Sequence, residues 1–266
     1  MKVKDVTNIL NEWAPEDSAS EWDNVGLLIG SDEEDLTGIL VALDATERVV
    51  EEAISTDANL IISHHPIIFE PLKALRKEEH PASVIFQLIK NDISLYTMHT
   101  NLDAAAGGVN EELASKLGLV DIEPLNSDAE GRYGRIGKLD TELSLSQFLE
   151  KIKSVLNVEA LTYRGNLDSA VKIVAISSGS GGAFLETAIE KNADVFVSAD
   201  FKHSHWLQGG DRIALINAGH FESERVVIQP IKDYLENRID FGEIQVRISE
   251  SESNPFVLFK GNANTQ

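Results

Sequence analysis

The amino-acid sequence predicts an α/β fold, and three observations carry that prediction. Short apolar runs rich in β-branched residues alternate with longer amphipathic stretches. Four of the apolar runs lead within a few residues to the same kinds of polar side chain, aspartate, histidine or glutamate. A polar, glycine-containing stretch at 126–134 (NSDAEGRYG) then reads as a linker between lobes. The chain of 266 residues is 42% hydrophobic, enough for one large core or two smaller ones.

Taken in order, the N-terminal segment MKVKDVTNILNEW is amphipathic and carries Asp5, Asn8 and Glu12. These interrupt the apolar stretch that a secretory leader needs, so the expected location is the cytoplasm. Strands are predicted over 38–43 (GILVAL), 60–62, 93–96, 173–176, 195–197 and 213–216, with a final alternating strand at 243–248. Helices are predicted over 46–55, 81–91, 109–116, 145–156 and 183–191. A last one over 223–237 places apolar residues at three- and four-residue spacing. The tail after Phe259 is expected to fray.

Composition removes several classes of function. Cysteine is absent, which excludes disulfides, thiolate nucleophiles and sulfur-rich zinc sites. Any metal must be held by nitrogen and oxygen, a donor set that suits zinc, iron or manganese without choosing among them. The formal net charge of -21 repels a phosphate backbone, so direct nucleic-acid binding is not expected. A small anionic substrate stays compatible, because bound cations reverse the potential locally. No apolar run of about 18 residues exists to span a membrane.

In open α/β sheets ligands collect beyond the carboxyl ends of strands, so polar residues there can converge from distant parts of the chain. Asp44 follows the first predicted strand and Ser63-His64-His65-Pro66 the second; Pro66 restricts the backbone that carries His65. Past the strand at 93–96 comes His99-Thr-Asn-Leu-Asp103. Its aspartate can bridge two cations or cap the next helix, and His99 can be a ligand or support one. His220 and Glu224 are four apart, on one face of a helix. Each signal alone has a bland reading as loop or helix-start polar residues. Together, with Asp44 and His99 left aside, they offer three imidazoles and two carboxylates, a set suited to paired metals, which sit about 3.5–4 Å apart and need a bridging group.

Four segments, EWDNVGLLIG (21–30), SHHP (63–66), HTNLDAAAGGVN (99–110) and NAGHFESE (217–224), resemble in residues and order the Nif-three-like family. Its members are commonly labelled "GTP cyclohydrolase 1 type 2" homologs. The resemblance spans nearly the whole chain. It implies two divalent metal ions per chain, held by His64, His65, Asp103, His220 and Glu224, with His99 in a supporting position. It also implies two α/β lobes with the metals in their cleft, here 1–126 plus 216–266 as the metal-binding lobe and 127–215 as the second, and a toroidal homohexamer. An inserted middle domain found in some members has no room here.

Weaker features have competing readings. Trp22 reads as a packing residue, and Asp23 and Asn24 as hydrogen bonders that fix a loop. Ser177-Ser-Gly-Ser-Gly-Gly182 can cradle a phosphate with backbone N–H groups, but it lacks a P-loop lysine, and a tight strand-to-helix turn is the favoured role. Asp200, Lys202 and His203 resemble a second-lobe motif facing the cleft and are candidates, with His99, for substrate contact or proton transfer. His80 is expected at the surface. The functional expectation is a metal-dependent hydrolase of a nucleotide or small phosphate ester. The alternatives are ring opening of GTP, as in the family label, and a metal-binding or scaffold ring without catalysis.

Overall fold

A computed structural model describes residues 1–126 and 133–259. Of the predicted linker at 126–134, residues 127–132 fall outside the described residues, as does the whole tail after Phe259.

Two sheets form the framework. The first runs in the order β1 (Gly26–Ile29), β4 (Ser94–Thr97), β3 (Leu60–Ser63), β2 (Gly38–Ala42) and β11 (Gln245–Ile248). Its neighbours are parallel except β1 against β4. The second has the order β5 (Leu119–Pro124), β6 (Arg135–Ser144), β8 (Ala170–Ile176), β9 (Val195–Ser198), β10 (Ala214–Asn217) and β7 (Thr162–Arg164). There β8, β9 and β10 are mutually parallel, and β5, β6 and β7 join antiparallel.

Strands buried on both faces read as continuous apolar runs, because successive side chains enter opposite layers. In β2, Ile39 and Val41 pack with α1 (Val3–Trp13) and α10 (Ile228–Glu236). Leu40 and Ala42 face the other way, against α2 (Glu47–Ser55) and α3 (Ala82–Lys90). The second sheet repeats the plan. Val195 and Val197 meet Phe148 and Ile152 of α6 (Leu145–Leu156) and Leu113 of α5 (Val109–Lys116), while Phe196 packs with Leu185 and Ala188 of α7 (Leu185–Glu190). Helix α6 starts on a reciprocal cap: Ser144 Oγ accepts from Gln147 N–H at 3.2 Å, and Gln147 Oε1 accepts from Ser144 N–H at 2.9 Å.

The predicted strands and most predicted helices form within a few residues of their expected bounds. The helix predicted over 223–237 does not run unbroken. The chain makes α9 (His220–Glu224), a single 3-10 turn at Arg225–Val227, and then α10. Pro230 is the physical reason. Deep in one long helix its ring would strike the carbonyl of Val226 and its missing N–H would leave that carbonyl unpaired, whereas in the first turn of α10 neither penalty applies. The 183–191 prediction is likewise split, into a 3-10 turn at Gly181–Phe184 followed by α7. Strands β1, β5, β6 and β7 and the short helices α4 (Thr100–Ala104) and α8 (His203–Gly209) were not expected.

The segment after β11 ties the carboxyl end of β2 to α9, the helix that follows β10 of the second sheet. Glu252 Oε1 accepts from the N–H groups of Leu43 and Asp44 at 2.6 and 2.8 Å, and Asn254 Nδ2 donates to Glu222 of α9 at 2.6 Å. Among the described residues no helix is long and apolar enough to cross a membrane.

Candidate metal centre

The parallel strands of both sheets deliver their carboxyl ends to one cleft. From the first sheet come Asp44 after β2, His64 and His65 after β3, and His99 with Asp103 after β4. From the second come Ser177–Gly182 after β8, Asp200 after β9, and His220 and Glu224 after β10. Two His/Glu groups result, each with donor atoms within 4.8 Å of one another: His64, His65 and His99, and His65, His220 and Glu224. His65 belongs to both. Asp103 stands beside them, its Oδ1 3.9 Å from His64 Nε2. It does not cap α5, whose N-cap is Gly108.

The four imidazoles are held alike. His64 Nδ1–H donates to the Met98 carbonyl at 2.8 Å, His65 Nδ1–H to Asp44 Oδ1 at 2.9 Å, His99 Nδ1–H to Asp23 Oδ1 at 2.9 Å, and His220 Nδ1–H to Asp200 Oδ2 at 2.7 Å. An acceptor on Nδ1 leaves Nε2 to carry the lone pair, and carboxylate or carbonyl support of this type fixes the ring and raises its basicity as a ligand. The Nε2 atoms of His65 and His220 face each other at 3.3 Å.

Polar atoms at the centre lack hydrogen-bond partners. His64 Nε2, Asp103 Oδ1 and Glu224 Oε2 are buried and unsatisfied, although Glu224 Oε2 lies 3.0 Å from both His65 Nε2 and His220 Nε2. Those approaches have the distance of hydrogen bonds without their geometry. Burying such groups unpaired is costly, and a cation among them would satisfy all three.

The electrostatics agree. Burial, helped by the neighbouring His65 and His99, drives His64 down to about 3 against the pull of Glu224, so it is neutral. Burial also opposes protonation of His65, but Asp44 and Glu224 outweigh it and push that imidazole up to about 10. His220 likewise rises to about 9, through Glu224 and Asp200. With their Nε2 atoms 3.3 Å apart the two rings cannot both carry a proton there, so they titrate as a pair that takes up one positive charge between them. Glu224, 4% exposed, is held well below the ordinary carboxylate range by His220 and His65 against the penalty of burial. Burial raises Asp103 to about 7. Asp23 falls to about 2: burial would raise it, but bonds from His99 and Thr100 prevail.

A cavity of about 430 Å³ opens on this cluster, lined by His65, His99, Asp103, His220, Glu224 and Ser177, among others. Ser177–Gly182 forms a turn into its 3-10 helix. Gly179 (φ +55°) approaches so closely that a Cβ there would fall on Glu224 Oε1. Asp200 accepts from Ser180 Oγ as well as from His220, which makes it a positioning group for that ring. Lys202 and His203 are exposed at the start of α8 and are not among the residues lining the cavity. His80 is exposed. Trp22 is not the packing residue expected of it. It is 59% exposed at the cavity, because the loop carrying it is held by Asp23 and by the Asn24 Nδ2 bond to the Ile68 carbonyl rather than by indole burial.

Asp44 was expected at the converging strand ends without a role of its own, and the structure sets it behind His65 as that ring's support. The Met98 carbonyl has no sequence signal at all, and Phe69, Tyr133 and Phe184, which also line the cavity, lie outside every motif.

Comparison with known proteins gives a consistent picture. The family profile described as Duf34/NIF3 (NGG1p interacting factor 3) matches residues 1–255. A Clostridium perfringens protein named "GTP cyclohydrolase 1 type 2 homolog" is 35% identical over 263 residues, covering 96% of this chain and 99% of that protein. One of the same name from Lactococcus lactis is 36% identical over 264 residues with the same coverage. The alignment to a Staphylococcus epidermidis relative runs over 361 positions at 30% identity, so that protein carries an insertion that this chain of 266 residues lacks. Among solved structures, a Staphylococcus aureus hypothetical protein superposes with a TM-score of 0.90 at 33% identity, covering 97% of this chain and 99% of the other. A Bacillus cereus protein related to NIF3 gives a TM-score of 0.90 at 26% identity with the same coverage.

Proposed function

The chain belongs to the Duf34/NIF3 family, and from that premise we propose that it is a hydrolase dependent on two divalent ions, acting on a nucleotide or another small phosphate ester. One observation carries the reading. Four imidazoles bonded through Nδ1 surround buried His64 Nε2, Asp103 Oδ1 and Glu224 Oε2 that have no hydrogen-bond partner. In this reading His64, His65, Asp103, His220 and Glu224 hold the ions, and zinc, iron and manganese all suit the donors. When bound, such ions supply Lewis acidity and lower the pKa of water.

The chain's own residues do the rest. Asp44 and Asp200 fix His65 and His220, and Asp23 fixes His99, which stands beside the donors as the candidate proton carrier. Gly179 lets the second sheet's loop reach Glu224. The division into a lobe of 1–126 plus 216–266 and a lobe of 127–215, a cytoplasmic location and a toroidal homohexamer belong to the same proposal, with β5 of the first span reaching across to pair with β6 in the second sheet. Assembly is supported by the exposed apolar run Phe256–Phe259, where every residue is at least 59% exposed. Light scattering of the purified chain tests it.

The function is tested by counting metal per chain, then assaying GTP, mono- and dinucleotides and a generic phosphodiester. Turnover that disappears in Asp103→Ala and Glu224→Ala supports a hydrolase. Formate release from GTP would instead favour ring opening, the second reading, which the relatives' shared name supports. About two metals per chain with no turnover points to a metal-binding ring without catalysis, and less than one after reconstitution sinks the two-ion centre itself.

A further inference from the structure

Beside the donors the cavity has an aromatic wall that the chemistry above leaves unused. The rings of Trp22 and Phe69 pack with centroids 5.7 Å apart and planes inclined at 52°. Each also meets His99 edge-on, at 6.2 and 6.3 Å. Trp22 is 59% and Phe69 51% exposed, in a chain that completely buries Phe148 and Phe196. They are not scattered surface residues, since they touch each other and the same imidazole, and both line the cavity. Its volume of about 430 Å³ lies within the range of small-molecule sites, roughly 300–1,000 Å³, so the wall suits a compact ligand better than a polypeptide.

We infer that Trp22 and Phe69 form a stacking platform for a flat heteroaromatic ring of the nucleobase class, with the anionic remainder of the same molecule turned toward His65, His220 and Glu224. An aliphatic ligand would be served as well by leucine or isoleucine. Tryptophan presents the broad π-face on which bases stack, whatever their sequence of donors and acceptors. The orientation of the ligand rests on the function proposed above; the binding of the ring does not.

The test uses the chelator-treated full chain and intrinsic fluorescence. Of three tryptophans, Trp13 is stacked on Tyr234 at 4.5 Å and Trp206 lies against Phe201 at 5.3 Å, which leaves Trp22 as the exposed reporter. Guanosine and adenosine, which carry no phosphate, are expected to quench saturably, ribose 5-phosphate not at all, and Trp22→Phe is expected to abolish the quench. By calorimetry Phe69→Ala is expected to weaken nucleoside binding about tenfold, the effect of losing a modest stacking contact. Both positions are exposed, and circular dichroism verifies that the variants fold. Quenching that persists in Trp22→Phe, equal binding of a hexyl phosphate, or the absence of saturable nucleoside binding overturns the platform. Cleavage of a simple phosphate ester without nucleoside binding would overturn this inference alone. Nucleoside binding without turnover of any nucleotide would overturn only the hydrolase.

Discussion

Replacing Asp44 or Asp200 with asparagine removes one charge at the rim of the donor cluster while keeping the volume and a carbonyl that still accepts from Nδ1. Asp44 lies 2.9 Å from His65 Nδ1, and Asp200 2.7 Å from His220 Nδ1. Losing a supporting carboxylate behind a histidine ligand typically weakens metal binding about 10- to 100-fold. These two side chains are 40% and 47% exposed, so water screens part of their field and the low end applies. Each single variant should therefore lose about tenfold in affinity, about 1.4 kcal/mol. Because the two imidazoles meet at 3.3 Å, the double variant should fall short of the product of the singles. Competition against a chromophoric chelator for zinc or manganese, with bound metal counted per chain, measures both quantities. Affinity within twofold of wild type in both single variants would refute the claim that these carboxylates support metal ligands.

Three further outcomes follow from the same geometry. In chelated protein the His65–His220 pair binds its proton more tightly than an unfolded imidazole of pKa about 6.5, with folded values of about 9 and 10. That contribution is largest near pH 6.5; in more acid solution it shrinks, because the unfolded chain protonates both imidazoles where the pair holds one charge, and it is lost as pH rises through 9 to 10. The melting temperature should fall across that window, and Glu224→Gln should flatten the fall. Gly179→Ala places a β-carbon on Glu224 Oε1 at a left-handed backbone, adding strain of about 1–2 kcal/mol and displacing the carboxylate; metal stoichiometry should drop even where circular dichroism is unchanged. Phe148→Ala empties a fully buried site under the second sheet and should cost about 3–5 kcal/mol in urea unfolding without altering the donors.

Where burial is two-sided, the sequence announces the structure. Strands β2, β3 and β9 are almost wholly apolar, and the donors could be found because they follow the apolar runs of β3, β4 and β10. Strands at sheet edges announce themselves poorly. All three residues of β7 are exposed, and β5 is mostly so, which leaves no apolar alternation to read. The donors share a chemical type and so could be grouped, whereas their support comes partly from a backbone carbonyl, Met98, that any residue would provide. The break before Pro230 was legible in principle, since a proline seven residues into an otherwise regular pattern argues for a fresh helix start. Trp22 shows a different limit, because composition alone does not separate an indole that fills a core from one that lines a cavity.

Strand β11, the last in the chain, pairs with β2, and the segment behind it bonds Leu43 and Asp44 across more than 200 residues. His65 and His220 are themselves 155 residues apart. A chain emerging from the ribosome therefore presents His64 and His65 long before it can offer Glu224 or close the first sheet, and closing so long a loop comes late in folding. In the proposed centre, a nascent chain that stops short of β10 thus offers three of the five donors, His64, His65 and Asp103, and His220 with Glu224 completes the set only once α9 has emerged.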